Sequence, residues 1–293
     1  MKTIPKLRCA APGSVPAVCR AVVAATVFAL ARVSLAVAAP GDAPAVVSGE
    51  TSATDASLAL KLRNPIADQV TVPIESDFEY GPGPRHALTY TLNVQPVVPF
   101  NLNKDWLLVT RTIVPFIHQQ AAAASERDRT GLGDINQSFF FSPARLVGGW
   151  IVGAGPVLQY PTATRPELGT GKWGAGPTFA VLQQHTGWTF GVLANQIWSY
   201  AGDRRREPVN TALVDPFASY TWPNGVTLEF DGGSTYDWKL RQWTIPLTAG
   251  VSRLVTLGHR SVTVGLDGRW YAARAPGSPV WGIVLTVTLV IPK

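Results

Sequence analysis

The stretch DQVTVPIESDFEYGPGPRHALTYTLNVQPVVPF, residues 68–100, determines how the rest of the chain is interpreted. On both sides of the breaker Gly-Pro-Gly-Pro at 81–84, most apolar side chains fall on even positions and most polar ones on odd positions, with Ser76 the gap in the first half. The first half places Val72 and Phe78 on one face and Glu75 on the other. Such a period of two indicates β-strands with one apolar and one polar face. Each half is as long as a membrane-crossing strand, which needs about 9–11 residues.

The first 38 residues have the composition of an export signal. They contain five of the 25 Lys and Arg residues of the chain and none of its 19 acidic residues. An apolar run at 21–30 is followed by small residues up to Ala38, so we expect a cleaved signal peptide over residues 1–38. The remainder then carries twenty basic and nineteen acidic residues, a net charge of +1. This leaves no basic stripe for nucleic acid, and we expect no nucleic-acid partner.

Both cysteines, Cys9 and Cys19, lie within the predicted signal peptide. A chain without that peptide has no disulfide, no thiolate metal site and no cysteine nucleophile. Beyond the signal, no apolar run approaches the ~20 residues of a transmembrane helix. Because 46% of the residues are apolar, the chain must either build a large soluble core or expose apolar surface to lipid through strands.

The pattern after the signal predicts an all-β fold, a transmembrane antiparallel up-and-down β-barrel of about 12 strands that occupies residues 67–293. Residues 39–66 are predicted to be a flexible leader with a short helix over 56–63, capped by Asp55 and ended by Pro65. Long charged connections alternate with tight turns, which is typical of outer-membrane barrels. The predicted strands are 68–80, 86–100, 105–118, 132–142, 148–161, 173–185, 187–200, 210–221, 225–237, 241–254, 260–273 and 280–291.

Tryptophans and prolines recur at particular places in these strands. Eight tryptophans fall near strand ends, as the aromatic girdles of membrane barrels require: Trp106, Trp150, Trp173, Trp188, Trp222, Trp243, Trp270 and Trp281. Seven prolines fall inside strands, where each removes a ladder donor: Pro73, Pro96, Pro115, Pro156, Pro177, Pro216 and Pro246. A closed barrel has no edge strand, so we expect these prolines at bulges or rims.

Whole phrases of the chain resemble a group of bacterial outer-membrane barrels. They are NPIADQVTVP (64–73), LNVQPVVPF (92–100), RTIVPF (111–116), GLGDINQSFFFSP (131–143), GWIVGAGP (149–156), YPTATRPELGTGKWGAGP (160–177), ANQIWSYAGD (194–203), STYDW (234–238) and QWTIPL (242–247). The group is the meta-pathway phenol-degradation-like family, often labelled "transporter" and sometimes mislabelled neuromedin U. The resemblance implies a porin-like barrel that passes small molecules, aromatic or hydrophobic ones among them, and it brings no catalytic residues. The chain departs from the pattern at its end, where LVIPK (289–293) lacks the usual aromatic residue.

The polar faces of the predicted strands contain the candidate functional residues. A charge on the outer face of a barrel costs on the order of 2–4 kcal/mol at the bilayer midplane, so we expect these residues to point inward. Arg111 and Arg269 are expected near the acidic face of the first strand, as a constriction that orients solutes or as a static salt-bridged plug. The predicted lumen-lining residues are Glu75, Asp77, Glu79, Arg111, Asp134, Asn136, Asn195, Asp215, Glu229, Asp231, Asp267 and Arg269.

These patterns predict a bacterial outer-membrane channel for passive uptake of small molecules. Its expected partners are outer-membrane lipids, lipopolysaccharide, a small-molecule solute and, during biogenesis, the barrel-assembly machinery. We expect no cofactor, no metal and no catalytic site. The letters GTGKWG at 169–174 match a dinucleotide fingerprint, but no helix is expected after them. Arg204, Arg205 and Arg206 lie in a predicted external loop, where they contact lipopolysaccharide phosphates or are simply solvated.

Two alternatives stay open. One is an outer-membrane lipid hydrolase, whose base would be one of four histidines near strand ends. Ser138 and Ser142 lie on the strand next to that of His118, yet no spacing selects a nucleophile and base. The other alternative is a non-conducting structural barrel. The four histidines are His86, His118, His185 and His259.

Overall fold

The computed structural model describes residues 49–66, 69–81, 87–122, 126–257 and 260–291. Within these ranges the chain forms one α-helix, α1 (Gly49–Leu62), a short 3-10 helix (Pro166–Leu168) and fifteen strand segments. The strands are β1 (Val70–Tyr80), β2 (Leu88–Val94), β3 (Val97–Asn101), β4 (Trp106–Gln119), β5 (Arg129–Leu132), β6 (Ile135–Pro143), β7 (Ile151–Tyr160), β8 (Lys172–His185), β9 (Trp188–Gly202), β10 (Asn210–Thr221), β11 (Val226–Asp231), β12 (Ser234–Asp237), β13 (Gln242–Leu257), β14 (Arg260–Ala273) and β15 (Trp281–Ile291).

The strand segments form a closed antiparallel barrel of twelve strands. Three of the twelve are interrupted, and β2/β3, β5/β6 and β11/β12 are the halves of the interrupted strands. Each strand pairs with the next along the chain, and β1 pairs with β15 over eleven residues, from Val70 opposite Ile291 to Tyr80 opposite Trp281. The predicted twelve-stranded barrel is therefore confirmed. Each predicted strand lies within a few residues of an observed one.

The N-terminal segment differs from its prediction. The helix expected over 56–63 begins at Gly49, so residues 49–55 are helical, although we assigned them to a flexible leader. No helix among the described residues is long and apolar enough to cross a membrane. The predicted signal peptide, residues 1–38, lies outside the described residues, and the predicted boundary at residue 67 stays a prediction.

The prolines inside strands explain where the barrel wall is interrupted. Because proline has no N–H, the neighbouring strand loses a ladder bond opposite it. At each interruption one residue still donates its N–H to a proline carbonyl: Gln95 to Pro73 (2.8 Å), Gly133 to Pro115 (2.9 Å) and Gly232 to Pro216 (3.0 Å). The first of these interruptions also contains Pro96, whose carbonyl accepts from Thr112 N–H (3.1 Å).

The remaining three prolines are placed differently. Pro156 and Pro177 face each other on β7 and β8, and each lies where its strand loses pairing with its other neighbour. Pro246 lies at the register shift between β13 and β14. Only Pro246 is thus at a bulge, as we expected. The other six lie within the wall, and most of them lie opposite a place where the neighbouring strand is interrupted or unpaired.

Connections at the two ends of the barrel differ in length. At one end, here called the turn end, Thr186 and Gly187 form a two-residue hairpin in which both φ angles are positive (46° and 85°), as a type I′ turn requires. At the opposite end, here called the loop end, the connections include residues 161–171 and 203–209. The strands between the ends direct odd and even positions to opposite faces, so one face of every strand points into the barrel.

Two rings of exposed aromatic side chains surround the outer wall. Trp106, Trp150, Trp188 and Trp222 lie toward the turn end, and Trp173, Trp243, Trp270 and Trp281 toward the loop end; each is 37–55% exposed. Trp188 and Trp198 are ten residues apart on β9, which separates them by about 25 Å along the barrel axis for a rise of ~3.3 Å per residue and a tilt of ~40°. This matches the ~25 Å apolar band of membrane barrels.

Candidate functional site

The interior of the barrel contains a polar cavity of about 480 Å³. Its charged lining consists of five carboxylates and three guanidinium groups, a net charge of −2 when all are ionised. Serine and threonine hydroxyls from β13, β14 and β15 complete the wall, and Tyr271 is the one aromatic residue among the described residues that line it. The charged lining residues are Arg63, Glu75, Arg111, Asp215, Glu229, Asp231, Asp267 and Arg269.

Strand register explains how residues distant in sequence meet in this cavity. Glu229 on β11 is opposite Gly250 on β13, and Gly250 is opposite Asp267 on β14. Asp267 is in turn opposite Val284 on β15, which is opposite Asp77 on β1. Because residues opposite one another share a face, this row places three carboxylates on the inner wall.

Arg269 connects β14 to the acidic residues of β1. Its Nη1 lies 3.0 Å from Glu79 Oε1 and 3.5 Å from Asp77 Oδ1, and its Nε donates to the Thr248 hydroxyl at 3.2 Å. The Tyr271 hydroxyl donates to the same Glu79 oxygen. The guanidinium is therefore held by partners on two other strands, β1 and β13, which makes this part of the wall a static network.

Arg111 reaches the first strand only through an intermediate. Its Nη2 donates to Gln95 Oε1 at 2.7 Å, and Gln95 Nε2 donates to Glu75 Oε2 at 2.6 Å. Gln95 itself sits in the break between β2 and β3, where the missing ladder bonds free its side chain to turn inward. Arg111 and Glu75 both line the cavity.

The segment that follows α1 enters the barrel, which sequence reasoning did not foresee. The Leu60 carbonyl accepts from Gln184 Nε2 (2.6 Å) at the turn end. Three residues later the Arg63 guanidinium forms an ion pair with Glu229, and its Nη2 lies 3.9 Å from Asp231 Oδ1. No local pattern shows this placement. The only signal is a basic residue alone between a helix and the first strand.

Ile66 anchors the same segment in an apolar part of the interior. It is 2% exposed and belongs to a cluster contributed by five strands. Gly153 on β7 lies directly beneath it, and a Cβ there would be only 3.0 Å from the Ile66 Cδ1 atom, closer than an ordinary van der Waals contact. The interior is thus divided into an apolar region that holds the segment and the polar cavity. The cluster consists of Ile66, Val97, Val109, Phe140, Ala180, Leu182 and Leu193.

Asp134, predicted to line the lumen, fastens a loop instead. It lies in the break between β5 and β6 and accepts hydrogen bonds from Ala163 N–H (3.2 Å), Thr170 N–H (2.6 Å) and the Thr170 hydroxyl (2.7 Å). Arg206 holds the same loop from the other side through the carbonyls of Pro166, Gly169 and Thr170. Its guanidinium is therefore committed to the loop, while Arg204 and Arg205 are exposed.

Replacing Asp134 with alanine should release the loop 161–171. The change removes three hydrogen bonds to a charged acceptor, each worth about 1.5–3 kcal/mol. We expect amide hydrogen exchange at Ala163 and Thr170 to accelerate by roughly 10- to 100-fold, since ~1.4 kcal/mol corresponds to a factor of ten. Asp128→Ala is the matched control, because Asp128 accepts from Ala121 N–H in a different loop. Equal exchange in wild type and Asp134→Ala would contradict the assignment.

Two predicted amides are not in the polar cavity. Asn136 on β6 is opposite Gln159, and its Oδ1 is buried with no hydrogen-bond partner among the described residues. Asn195 on β9 is opposite Thr178 and Leu213, two strands removed from the acidic row. Asp77 and Glu79, also predicted, contact Arg269 without lining the cavity themselves.

The histidines do not assemble a hydrolase site within the described residues. His118 is 5% exposed, and its Nδ1 is 2.7 Å from the Thr130 hydroxyl. Ser138 is opposite Arg111, seven residues along β4 from His118, so about 23 Å separates the two positions. His185 is exposed at the turn end, and His86 and His259 lie outside the described residues. The described chain also holds no group of three His, Cys, Asp or Glu residues arranged to bind a metal ion.

Comparisons with solved structures relate this fold to outer-membrane channels. The chain is similar to an outer-membrane channel from Pseudomonas putida F1, with a TM-score of 0.59, 14% identity, and coverage of 87% of this chain and 100% of that chain. A weaker likeness is to the NanC porin, with a TM-score of 0.49, 12% identity, and coverage of 76% and 100%. No family model matches the chain, and no curated protein matches its sequence. The barrel fold is thus shared with the Pseudomonas putida F1 channel, whereas the narrower family named from sequence phrases stays a prediction.

Proposed function

We propose that this chain is a bacterial outer-membrane channel through which small polar solutes pass passively, with a preference for cations. The observation that carries the proposal is an acid-rich cavity inside a closed barrel whose outer wall is apolar. Lipid tolerates the outer wall, since two aromatic rings bound an apolar band of membrane thickness. The fold shared with the Pseudomonas putida F1 channel supports the same location.

The chemistry of the cavity favours polar solutes over the aromatic or hydrophobic ones that the family resemblance implied. Among its described lining residues only Tyr271 offers a ring, and its hydroxyl is bonded to Glu79. An apolar solute would have to displace water from carboxylates and guanidinium groups without replacing the hydrogen bonds. A small hydroxylated or cationic molecule would keep those bonds.

The proposed partners follow from location. Outer-membrane lipids contact the apolar wall, and the barrel-assembly machinery folds the exported chain into the membrane. Lipopolysaccharide lies at the loop end, where Arg204 and Arg205 are exposed to its phosphates. Arg206 contributes little to such contacts, because it is bonded to three loop carbonyls.

The charge of the cavity sets the expected ion selectivity. A net charge of −2 acting at about 6 Å in water favours a monovalent cation by about 1.4 kcal/mol before screening by salt. In planar bilayers at a KCl gradient, we therefore expect K⁺ to be preferred over Cl⁻ by roughly three- to tenfold. Arg111→Ala should increase the ratio, and Asp215→Asn should lower it. Preference for Cl⁻, or equal ratios in both variants, would contradict the proposal.

A non-conducting barrel is the second candidate. It is favoured by one specific observation, the segment around Arg63 that occupies part of the interior and binds the acidic wall. The same bilayer recordings separate the candidates, because a sealed barrel gives no unitary current steps in wild type. Deleting the segment around Arg63 makes the comparison sharper, because a barrel sealed only by that segment would then conduct.

A further inference from the structure

We propose that Glu229 and Asp267 form a binding site for the cationic group of a solute, a guanidinium or a primary ammonium, and that the side chain of Arg63 occupies this site in the structure. The proposal rests on the channel function above, because it names the class of solute that the channel selects. It depends on three observations, which concern Asp267, Gly250 and Arg63.

Asp267 is a buried carboxylate that faces the cavity without a direct partner. The residue is only 8% exposed, yet it makes no hydrogen bond and no ion pair within the described ranges. Other acids of the inner wall do have such partners, since Asp77 accepts from Asn93 (3.1 Å) and Glu75 from Gln95 (2.6 Å). Because Asp267 lines the cavity and has no protein donor, its carboxylate is placed to accept hydrogen bonds from a solute there.

Because Gly250 has no side chain, the Asp267 carboxylate has room on the strand between the two acids. It lies on the strand between Glu229 and Asp267 and is opposite both. The Asp267 carboxylate lies over Gly250 and fills the position that a side chain there would take. Two strand spacings of ~4.8 Å separate the backbones of the acids by about 10 Å, a distance that two acidic side chains can bridge around one cationic group.

Arg63 shows which chemistry the site accepts. Its guanidinium contacts Glu229 directly and is near enough to Asp267 to act on it electrostatically. Its Nε is buried with no hydrogen-bond partner among the described residues, so the fit of the resident group is incomplete. A free solute is not constrained by a backbone and can place more of its N–H donors on the two carboxylates.

A tethered side chain competes with free solute for the same acids. Short tethers give effective concentrations in the millimolar range, so Arg63 weakens the apparent affinity for a solute without abolishing it. Solute entry displaces the guanidinium from Glu229 and so removes one anchor of residues 63–66, while the packing of Ile66 remains. Solute binding therefore loosens the segment at Glu229.

The site is tested by calorimetric titration of the full-length purified protein in detergent at low ionic strength. The probe is ethylguanidinium, and ethylurea is its neutral isostere. We expect Arg63→Ala to bind ethylguanidinium about tenfold more tightly than wild type does. We expect no measurable binding of ethylurea to Arg63→Ala. Adding Asp267→Asn to Arg63→Ala should weaken ethylguanidinium binding by about tenfold or more, a loss of ~1.4 kcal/mol. If Arg63→Ala folds poorly, Arg63→Gln removes the charge and keeps most of the length.

Asp77→Asn in the Arg63→Ala background is the matched control. It makes the same chemical change in the same row of the wall, but Asp77 already contacts Arg269 and Asn93 and does not line the cavity. We expect the affinity of this double variant for ethylguanidinium to differ by less than threefold from that of Arg63→Ala. Equal losses in the two Asp→Asn variants, or equal binding of ethylguanidinium and ethylurea, would overturn the site. Bilayer conductance of the same proteins decides the channel function separately, since a protein can bind the cation without conducting, or conduct without binding it.

Discussion

Deleting residues 49–66 should at least double the single-channel conductance of the barrel. The deleted chain comprises α1 and the segment that carries Arg63 and Ile66 into the interior. A twelve-stranded barrel has a backbone radius of roughly 12 Å, and inward side chains narrow it further, so a polypeptide about 10 Å across fills much of the opening. The measurement is unitary current in planar bilayers with symmetrical KCl.

The barrel itself should survive this deletion. Its closure depends on the eleven-residue pairing of β1 with β15, to which residues 49–66 contribute nothing. Loss of Arg63 leaves Glu229 without its ion pair, but water that enters the opened lumen hydrates the carboxylate. Removing only residues 49–57 is the control, because Leu60, Arg63 and Ile66 keep their contacts. If the two deletions conduct alike, the segment does not restrict the passage.

The barrel could be predicted from sequence because its determinant is local and repeated. The alternation among neighbouring residues is enough to indicate that Val72 faces lipid and Glu75 faces water. Twelve repeats of this pattern predict a sheet large enough to close into a barrel. The breaks in the wall could not be predicted in this way. Gly232 still donates its N–H to the Pro216 carbonyl, but Pro216, on the neighbouring strand, has no N–H to donate in return.

The candidate site shows the same division between local and non-local information. Alternation indicated which carboxylates face inward, and Glu229 and Asp267 were both among them. It did not indicate that Asp134 would fasten Thr170, a residue 36 positions away, because that contact depends on how a loop folds back. Nor did it indicate that Arg63 would pair with Glu229, since the partner lies 166 positions farther along the chain.

Placing an arginine on the outer wall at Ala249 should destabilise the barrel by about 2–4 kcal/mol relative to the wild-type alanine. Ala249 is exposed on the outer face of β13. On the same strand, Leu247 is opposite Trp270 of the loop-end aromatic ring, and Arg253 is exposed near the turn end. Ala249 lies between these two positions and is therefore inside the apolar band.

The comparison that isolates the membrane is the pair Val255→Arg and Val255→Ala. This residue lies beyond Arg253 toward the turn end, at the depth where a natural arginine is already tolerated. There we expect arginine to cost about 0–1 kcal/mol relative to alanine, as measured by denaturant unfolding of the barrel folded into lipid vesicles. A wall surrounded by water would give a different result, because exposed substitutions usually stay within about 0.5 kcal/mol at any height. Equal costs at Ala249 and Val255 would therefore contradict contact between lipid and the outer face, and with it the reason for the acids to face inward.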